Sequence, residues 1–259
     1  MPADDGIERL SAVRDGGPLS PLADRDELRF REELEPEADI VAWIHRKELP
    51  QKLEYALRRA RIEPRGTVID LGAGYCWMSA ELAKRPAVER VIAIEFSRRR
   101  LERAPVAIAH LGAPAEKIER VVADFYAPGL GDEVADMVFM DAAFHHASDP
   151  GRLARVAYDL LRPGGIFVLH REPSLALLRR SRPHGIEGEH GHFEHEYYPR
   201  EYLTFLRGAG FDARRVPTPW TFRRRLARAW MRPPLSLLNG IAGSSYTYVG
   251  HKPVNPPAG

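Results

Sequence analysis

What the chain lacks narrows it first. Only one of its 259 residues is a cysteine, Cys76, so no disulfide can form within the chain and a reducing compartment is expected. No apolar run is long enough to cross a bilayer as a helix. The formal net charge is only +2, so no overall field draws the chain to nucleic acid or to a membrane. The opening residues, Met1-Pro-Ala-Asp-Asp, lack the basic-then-apolar order of a secretory leader, which makes a cytoplasmic location the expectation. There is no internal repeat and no low-complexity tract. With 44% hydrophobic and 29% charged residues, the composition is that of an ordinary soluble globular protein.

The informative stretch is Val68-Ile-Asp-Leu-Gly-Ala-Gly-Tyr75, followed by Val91-Ile-Ala-Ile-Glu95. A short apolar run bounded by glycine reads as a buried parallel strand. Gly72 and Gly74 allow a sharp turn and close approach of a ligand to the backbone. Glu95 ends the next apolar run, at the tip of the neighbouring strand, where a ribose diol can reach it. This is a nucleoside-binding βαβ pattern. A dinucleotide fingerprint needs a third small residue. Trp77 stands there instead, and no clear Tyr-x-x-x-Lys pair appears, which disfavours an NAD-dependent oxidoreductase.

Further on, Val121-Val-Ala-Asp124 ends a third strand in an acid, and a fourth runs over 134–141 to Asp141. Leu161-Arg-Pro-Gly-Gly-Ile-Phe-Val-Leu169 turns from a helix into a fifth. Taken in order, these residues resemble the class I S-adenosylmethionine (SAM)-dependent methyltransferases of the small-molecule type, from about Leu53 to His251. The resemblance implies a Rossmann-like, doubly wound, seven-stranded sheet, mostly parallel with an antiparallel last strand. It implies SAM as the cofactor and a small-molecule acceptor as the partner. A non-catalytic SAM-fold binding protein is the alternative. Neither nucleic acid nor a membrane is expected, and homodimer formation stays open.

Along the chain, 1–49 reads as an acidic, loosely ordered arm with a helix from about Ala38, and 50–259 as the SAM-binding domain. Helices are expected over about 76–85, 98–111 and 151–162, with Pro105 kinking the second or marking its start. Strands are expected at 67–71, 91–95, 120–124, 134–141, 166–170, Phe211–Val216 and Tyr246–Gly250. Residues 172–198 show no clear strand and read as a cap insertion, because so long a connection is often a functional lid.

The resemblance assigns Asp70, Gly72 and Gly74 to the amino-acid end of SAM and Glu95 to the ribose. It assigns Asp124 and Phe125 to the adenine, and Asp141 to the floor beside the donor methyl. His145 and His146 follow that strand. One is expected to be structural, and His146 is the preferred acceptor-facing base. His190, His192 and His195, with Tyr197, are read first as acceptor-binding residues of the lid, second as a metal site and third as a solvated loop. No metal is expected. The arginine-rich stretch Arg223–Arg232 is read as a helix packed on its own domain.

Overall fold

The computed structural model describes residues 13–16, 37–175, 186–187, 193–194, 197–216, 218 and 245–254, with backbone alone at 37–38, 186–187 and 193–194. In chain order the strands are β1 (Val13–Asp15), β2 (Gly66–Leu71), β3 (Val88–Glu95), β4 (Ile118–Val122) and β5 (Ala135–Asp141). They continue with β6 (Leu161–Pro173), β7 (Ile186–Glu187), β8 (Phe193–Glu194), β9 (Asp212–Val216) and β10 (Ser245–His251). The helices are α1 (Glu37–Lys47), α2 (Leu49–Ala60), α3 (Trp77–Ala83), α4 (Arg98–His110), α5 (Pro150–Leu160) and α6 (Pro199–Gly208).

Eight strands form one sheet in the order β1-β4-β3-β2-β5-β6-β10-β9. The six from β1 to β6 run parallel, and β10 is antiparallel to both β6 and β9. The expected Rossmann-like sheet is therefore present, with one strand added at its edge. That strand, β1, comes from the arm read as loosely ordered. At three residues, only the first of them hydrophobic, it is too short for periodicity to reveal.

Side chains alternate between two cores. Val68, Met137 and Phe139 face α1 to α4, while Ile69, Leu71, Val138 and Met140 face α5 and α6. Burial on both faces explains why the strands read as unbroken apolar runs. Helix α2 buries Leu49, Leu53, Ala56, Leu57 and Ala60 on one stripe, with Pro50 in its first turn. Each leucine so buried contributes about 1.5–3 kcal/mol.

Pro105 does not start the helix; α4 runs through it from Arg98 to His110. Proline removes the N–H that would bond to the carbonyl four residues back, Leu101. The buried Arg120 guanidinium on β4 takes that carbonyl instead, Nη1 donating to it at 2.5 Å. Arg120→Met keeps much of the stem but orphans the carbonyl. It should cost about 1–3 kcal/mol in denaturant unfolding. Adding Pro105→Ala should restore part of the loss by supplying the missing N–H; full stability of Arg120→Met alone would show that the carbonyl has another partner.

Other element ends differ from the sequence expectation by a few residues. β4 ends at Val122 and not at residue 124, which leaves Asp124 in the following turn. β6 is long, running from Leu161 to Pro173, so it takes in the Arg-Pro-Gly-Gly segment and the start of the insertion. Within 172–198, where no strand was expected, β7 and β8 pair as a two-residue antiparallel ladder.

Candidate active site

The strand order reverses between β2 and β5, and open α/β sheets take ligands at such a switch, beyond the carboxyl ends of the strands. At the end of β2 the chain turns left-handed at Gly72, with φ of 74°. A Cβ there would lie 3.0 Å from the Ala143 Cβ, so the loop after β2 passes close to the turn after β5. Gly72 and Ala73 both donate to the Ile94 carbonyl, at 2.8 and 2.9 Å. Cys76, in the same loop, is also left-handed (φ 58°) and fully buried. Its Cβ makes that conformation costlier than it would be for glycine.

Asp70 is 1% exposed. Ser79, on α3, donates its hydroxyl to Oδ2 at 2.6 Å. Oδ1 is buried without a partner. Burial pushes the Asp70 carboxyl up from 3.8 to about 7; the Ser79 hydrogen bond opposes this, and the charges of Asp141 and Glu95 add to it. Three carboxylates thus converge on one crevice, an arrangement that suits a cationic ligand.

Glu95 is buried at the end of β3. Oε2 accepts from the Gly74 N–H at 2.8 Å and Oε1 from the Ser97 N–H at 3.1 Å. Each oxygen keeps a second lone pair, so the carboxylate can still accept from a diol. Asp124 lies in the turn after β4, and its Oδ1 accepts from the Tyr126 N–H at 2.9 Å. Phe125 is half-buried beside it, edge-on to Tyr126 at 4.8 Å.

Asp141, at the end of β5, receives Arg171 Nε at 2.7 Å and the Trp77 indole N–H at 3.0 Å. The Arg171 guanidinium sits 5.7 Å from the centre of the Trp77 ring. Trp77, which stands where a dinucleotide fingerprint has a third small residue, donates to Asp141. Arg171 reaches Asp141 because the chain corners there, with φ of 53° inside β6. A non-glycine residue in that conformation signals local strain held by its surroundings.

The same corner delivers Glu172, which is wholly buried. Its Oε1 accepts from the N–H groups of Ala143 and Phe144, both at 3.0 Å. Its Oε2 accepts from the His145 N–H at 3.2 Å and pairs with His145 Nδ1 at 2.9 Å. A carboxylate only accepts, so His145 Nδ1 is the fourth donor to it. His145 is buried and His146 exposed, their ring centres 4.0 Å apart. The pair is thus one inner and one outer imidazole.

Tyr197 is half-buried and bridges in parallel to Ser174, its carbonyl accepting from Leu175 N–H at 3.0 Å. Its ring meets Tyr202 and Phe205 edge-on. The backbone of β8 runs beside the 144–146 turn, which brings part of the insertion against the His145–His146 pair. His190, His192 and His195 lie outside the described residues, as does Arg223–Arg232. Among the described residues no group of three metal-ligating side chains occurs, and no helix is long and apolar enough to cross a membrane.

The structure thus brings Asp70, Gly72, Gly74, Glu95, Asp124, Phe125, Asp141, His145 and His146 to one edge of the sheet. Sequence reasoning missed Arg171, Glu172 and Ser79. Glu172 had one available signal: a charged residue closing an apolar strand, like Asp70, Glu95 and Asp141. The buried, unpartnered Oδ1 of Asp70, the acids around it and the Glu95 carboxylate fit SAM, which offers two positive centres and a ribose diol.

Comparison with known proteins agrees with this chemistry. Residues 69–169 match the family model described as a methyltransferase domain. Among solved structures, a putative methyltransferase from Bacillus halodurans superposes with a TM-score of 0.54 at 20% identity, covering 78% of this chain and 99% of its own. A SAM-dependent methyltransferase from Aquifex aeolicus gives 0.52 at 17% identity, covering 78% and 89%. One from Thermotoga maritima, described as a possible histamine N-methyltransferase, gives 0.54 at 19%, covering 83% and 95%. At these identities the likeness is one of fold. A search of curated proteins finds no match.

Proposed function

We propose that this chain, a class I SAM-dependent methyltransferase, passes the methyl group to a hydroxyl oxygen of a small molecule, such as a sugar or a hydroxylated secondary metabolite. The observation that carries the choice is His146, an exposed imidazole on the turn after β5, beside a buried neighbour that holds its turn in place. A hydroxyl acceptor must lose a proton as it is methylated, and imidazole titrates in the useful range. An uncharged amine needs no such base before attack.

When bound, SAM supplies an electrophilic methyl group on a sulfonium. The chain's own residues then have separable tasks. Asp70, Gly72 and Gly74 hold the amino-acid end, Glu95 the ribose hydroxyls, and Asp124 with Phe125 the adenine. Asp141, pinned by Arg171 and Trp77, forms the floor. His146 accepts the acceptor's proton, and His145 keeps the turn in register through Glu172. Most of the acceleration comes from positioning, which in well-oriented systems reaches effective molarities of about 10⁵–10⁸ M.

In the same reading, 1–49 forms an arm on the domain at 50–259, and 172–198 caps the acceptor. His190, His192, His195 and Tyr197 supply the cap's polar contacts. The single cysteine and the weak net charge support a cytoplasmic protein with a small-molecule partner.

Calorimetry with SAM and S-adenosylhomocysteine tests the cofactor. A panel of hydroxylated and amine acceptors with methyl-labelled SAM tests the acceptor atom. His146→Ala should lower turnover by about 10²–10⁴-fold while SAM affinity stays within about twofold. Loss of activity in His145→Ala with His146→Ala unaffected would move the base to the inner histidine. Equal loss of SAM binding in both would make the pair structural. Activity should survive a chelator. A stoichiometric metal held by His190, His192 or His195 would favour a chelating acceptor such as a catechol.

A further inference from the structure

The segment 13–16 is fastened at five points, all on elements that carry the adenosine side of the site. β1 lies in parallel register on β4, with Val13 opposite Arg120 and Asp15 opposite Val122. The Gly16 N–H donates to the Val122 carbonyl at 2.8 Å. Arg14 Nε pairs with Glu119 at 2.8 Å, and Asp15 pairs with Arg98, the first residue of α4. Gly129 closes over Gly16: a Cβ on Gly129 would overlap the Gly16 carbonyl oxygen. From below, a Cβ on Gly16 would lie 2.8 Å from both the Ala123 Cβ and the Val121 Cγ1.

The two ion pairs are exposed and contribute little. The glycines are different: Gly129 admits no side chain against the Gly16 carbonyl and Gly16 none against Ala123 and Val121, so the segment is held between the loop and β4 at one separation. What they fix is the loop 123–129, which holds Asp124 and Phe125. The Arg98 pair acts on the start of α4, one residue after Ser97, whose N–H holds Glu95.

We propose that residues 13–16 are a strap that positions the adenosine-binding loop, so that cofactor affinity depends on a segment remote in sequence from the binding motifs. The inference rests on the reading of Asp124 and Phe125 as the adenine-facing pair. The plainer role for β1, covering an open sheet edge, makes a different prediction. Edge cover protects against unfolding or aggregation and leaves affinity for the adenosine fragment unchanged. A positioning strap changes that affinity, and binding in turn stabilises the strap, because coupling between two sites is reciprocal.

The experiment uses the full chain and two substitutions. Gly16→Pro removes the N–H that donates to Val122 and adds ring atoms where no Cβ fits. Gly129→Ala wedges the loop from the other side. Affinities for SAM and for methylthioadenosine, the adenosine fragment alone, are measured by calorimetry, with far-UV circular dichroism reporting the fold. Each variant should lose about tenfold for both ligands. The double variant should lose less than the two single losses multiplied, since both displace the same strap from the same loop. Amide exchange at 13–16 in the unsubstituted protein should slow when S-adenosylhomocysteine is added, a result that stands even if a variant fails to fold. Affinities within about twofold of the unsubstituted protein, losses that multiply in the double variant, or exchange unchanged by ligand would each overturn the strap. If Asp124→Ala and Phe125→Ala leave affinity intact in the unsubstituted background, it is the adenine reading that fails.

Discussion

Replacing Glu172 by alanine should lower stability by about 3–5 kcal/mol and abolish methyl transfer. The size follows from what the carboxylate holds. It is fully buried and accepts four hydrogen bonds, three from consecutive backbone N–H groups and one from an imidazole. Removing one partner of a buried charged cluster strands the others, and such losses run to about 3–5 kcal/mol. An exposed ion pair such as Arg14–Glu119 is worth at most about 1 kcal/mol. Glu172→Gln is the graded case. Its amide oxygen can still serve Ala143 and Phe144, but its NH₂ faces two donors at His145. An intermediate loss is expected, with a greater fall in turnover than in SAM affinity, since the His145–His146 end of the turn is the end released. Urea unfolding of the three proteins checks the stabilities. A loss below about 1 kcal/mol in the alanine variant would mean that the four donors find other acceptors.

The crevice at the ends of β2 and β3 was legible because its residues are local in sequence. Asp70, Gly72 and Gly74 fall within five residues of one another, and Glu95 ends the next strand. A strand that is buried on both faces and ends in an acid leaves the same mark wherever it occurs, which also made the sheet readable. The acceptor half was less legible because its logic runs between distant positions. Nothing near Ala143–His145 announces that Glu172, in another strand, holds all three N–H groups. Arg171 follows an apolar run with nothing to mark it, and only its left-handed backbone turns it onto Asp141. Pro105 lies inside α4 and not at its start, and the partner for the carbonyl it frees, Arg120, comes from a strand that the sequence cannot place against it. β1 was missed because three residues carry no period at all.

Asp70 is where the second large effect is expected, and it depends on pH. Burial raises the folded-state value from 3.8 to about 7. In the SAM-free protein the folded chain therefore keeps a proton that the unfolded chain has already released. Stability contributed at this position falls as pH rises from about 4 to about 7, then levels off. At about 1.4 kcal/mol per unit the ceiling is about 4 kcal/mol. An asparagine in its place would be neutral throughout, so the stability of Asp70→Asn minus that of the unsubstituted protein should be only about 1 kcal/mol at about pH 4.5. It should climb to a few kcal/mol in favour of the variant by about pH 8. Other titrating groups cancel in the difference. The cost has a use if the crevice receives cationic SAM, because positive charge favours the ionised carboxylate. Binding at about pH 6 should then release protons, visible as a dependence of the calorimetric heat on buffer ionisation enthalpy. Asp70→Asn should remove that dependence and weaken SAM binding even as it stabilises the empty protein. A stability difference that stays flat across that pH range would show that Asp70 is ionised in the folded protein throughout. The unpartnered Oδ1 would then have to be satisfied by water and not by the ligand's charge.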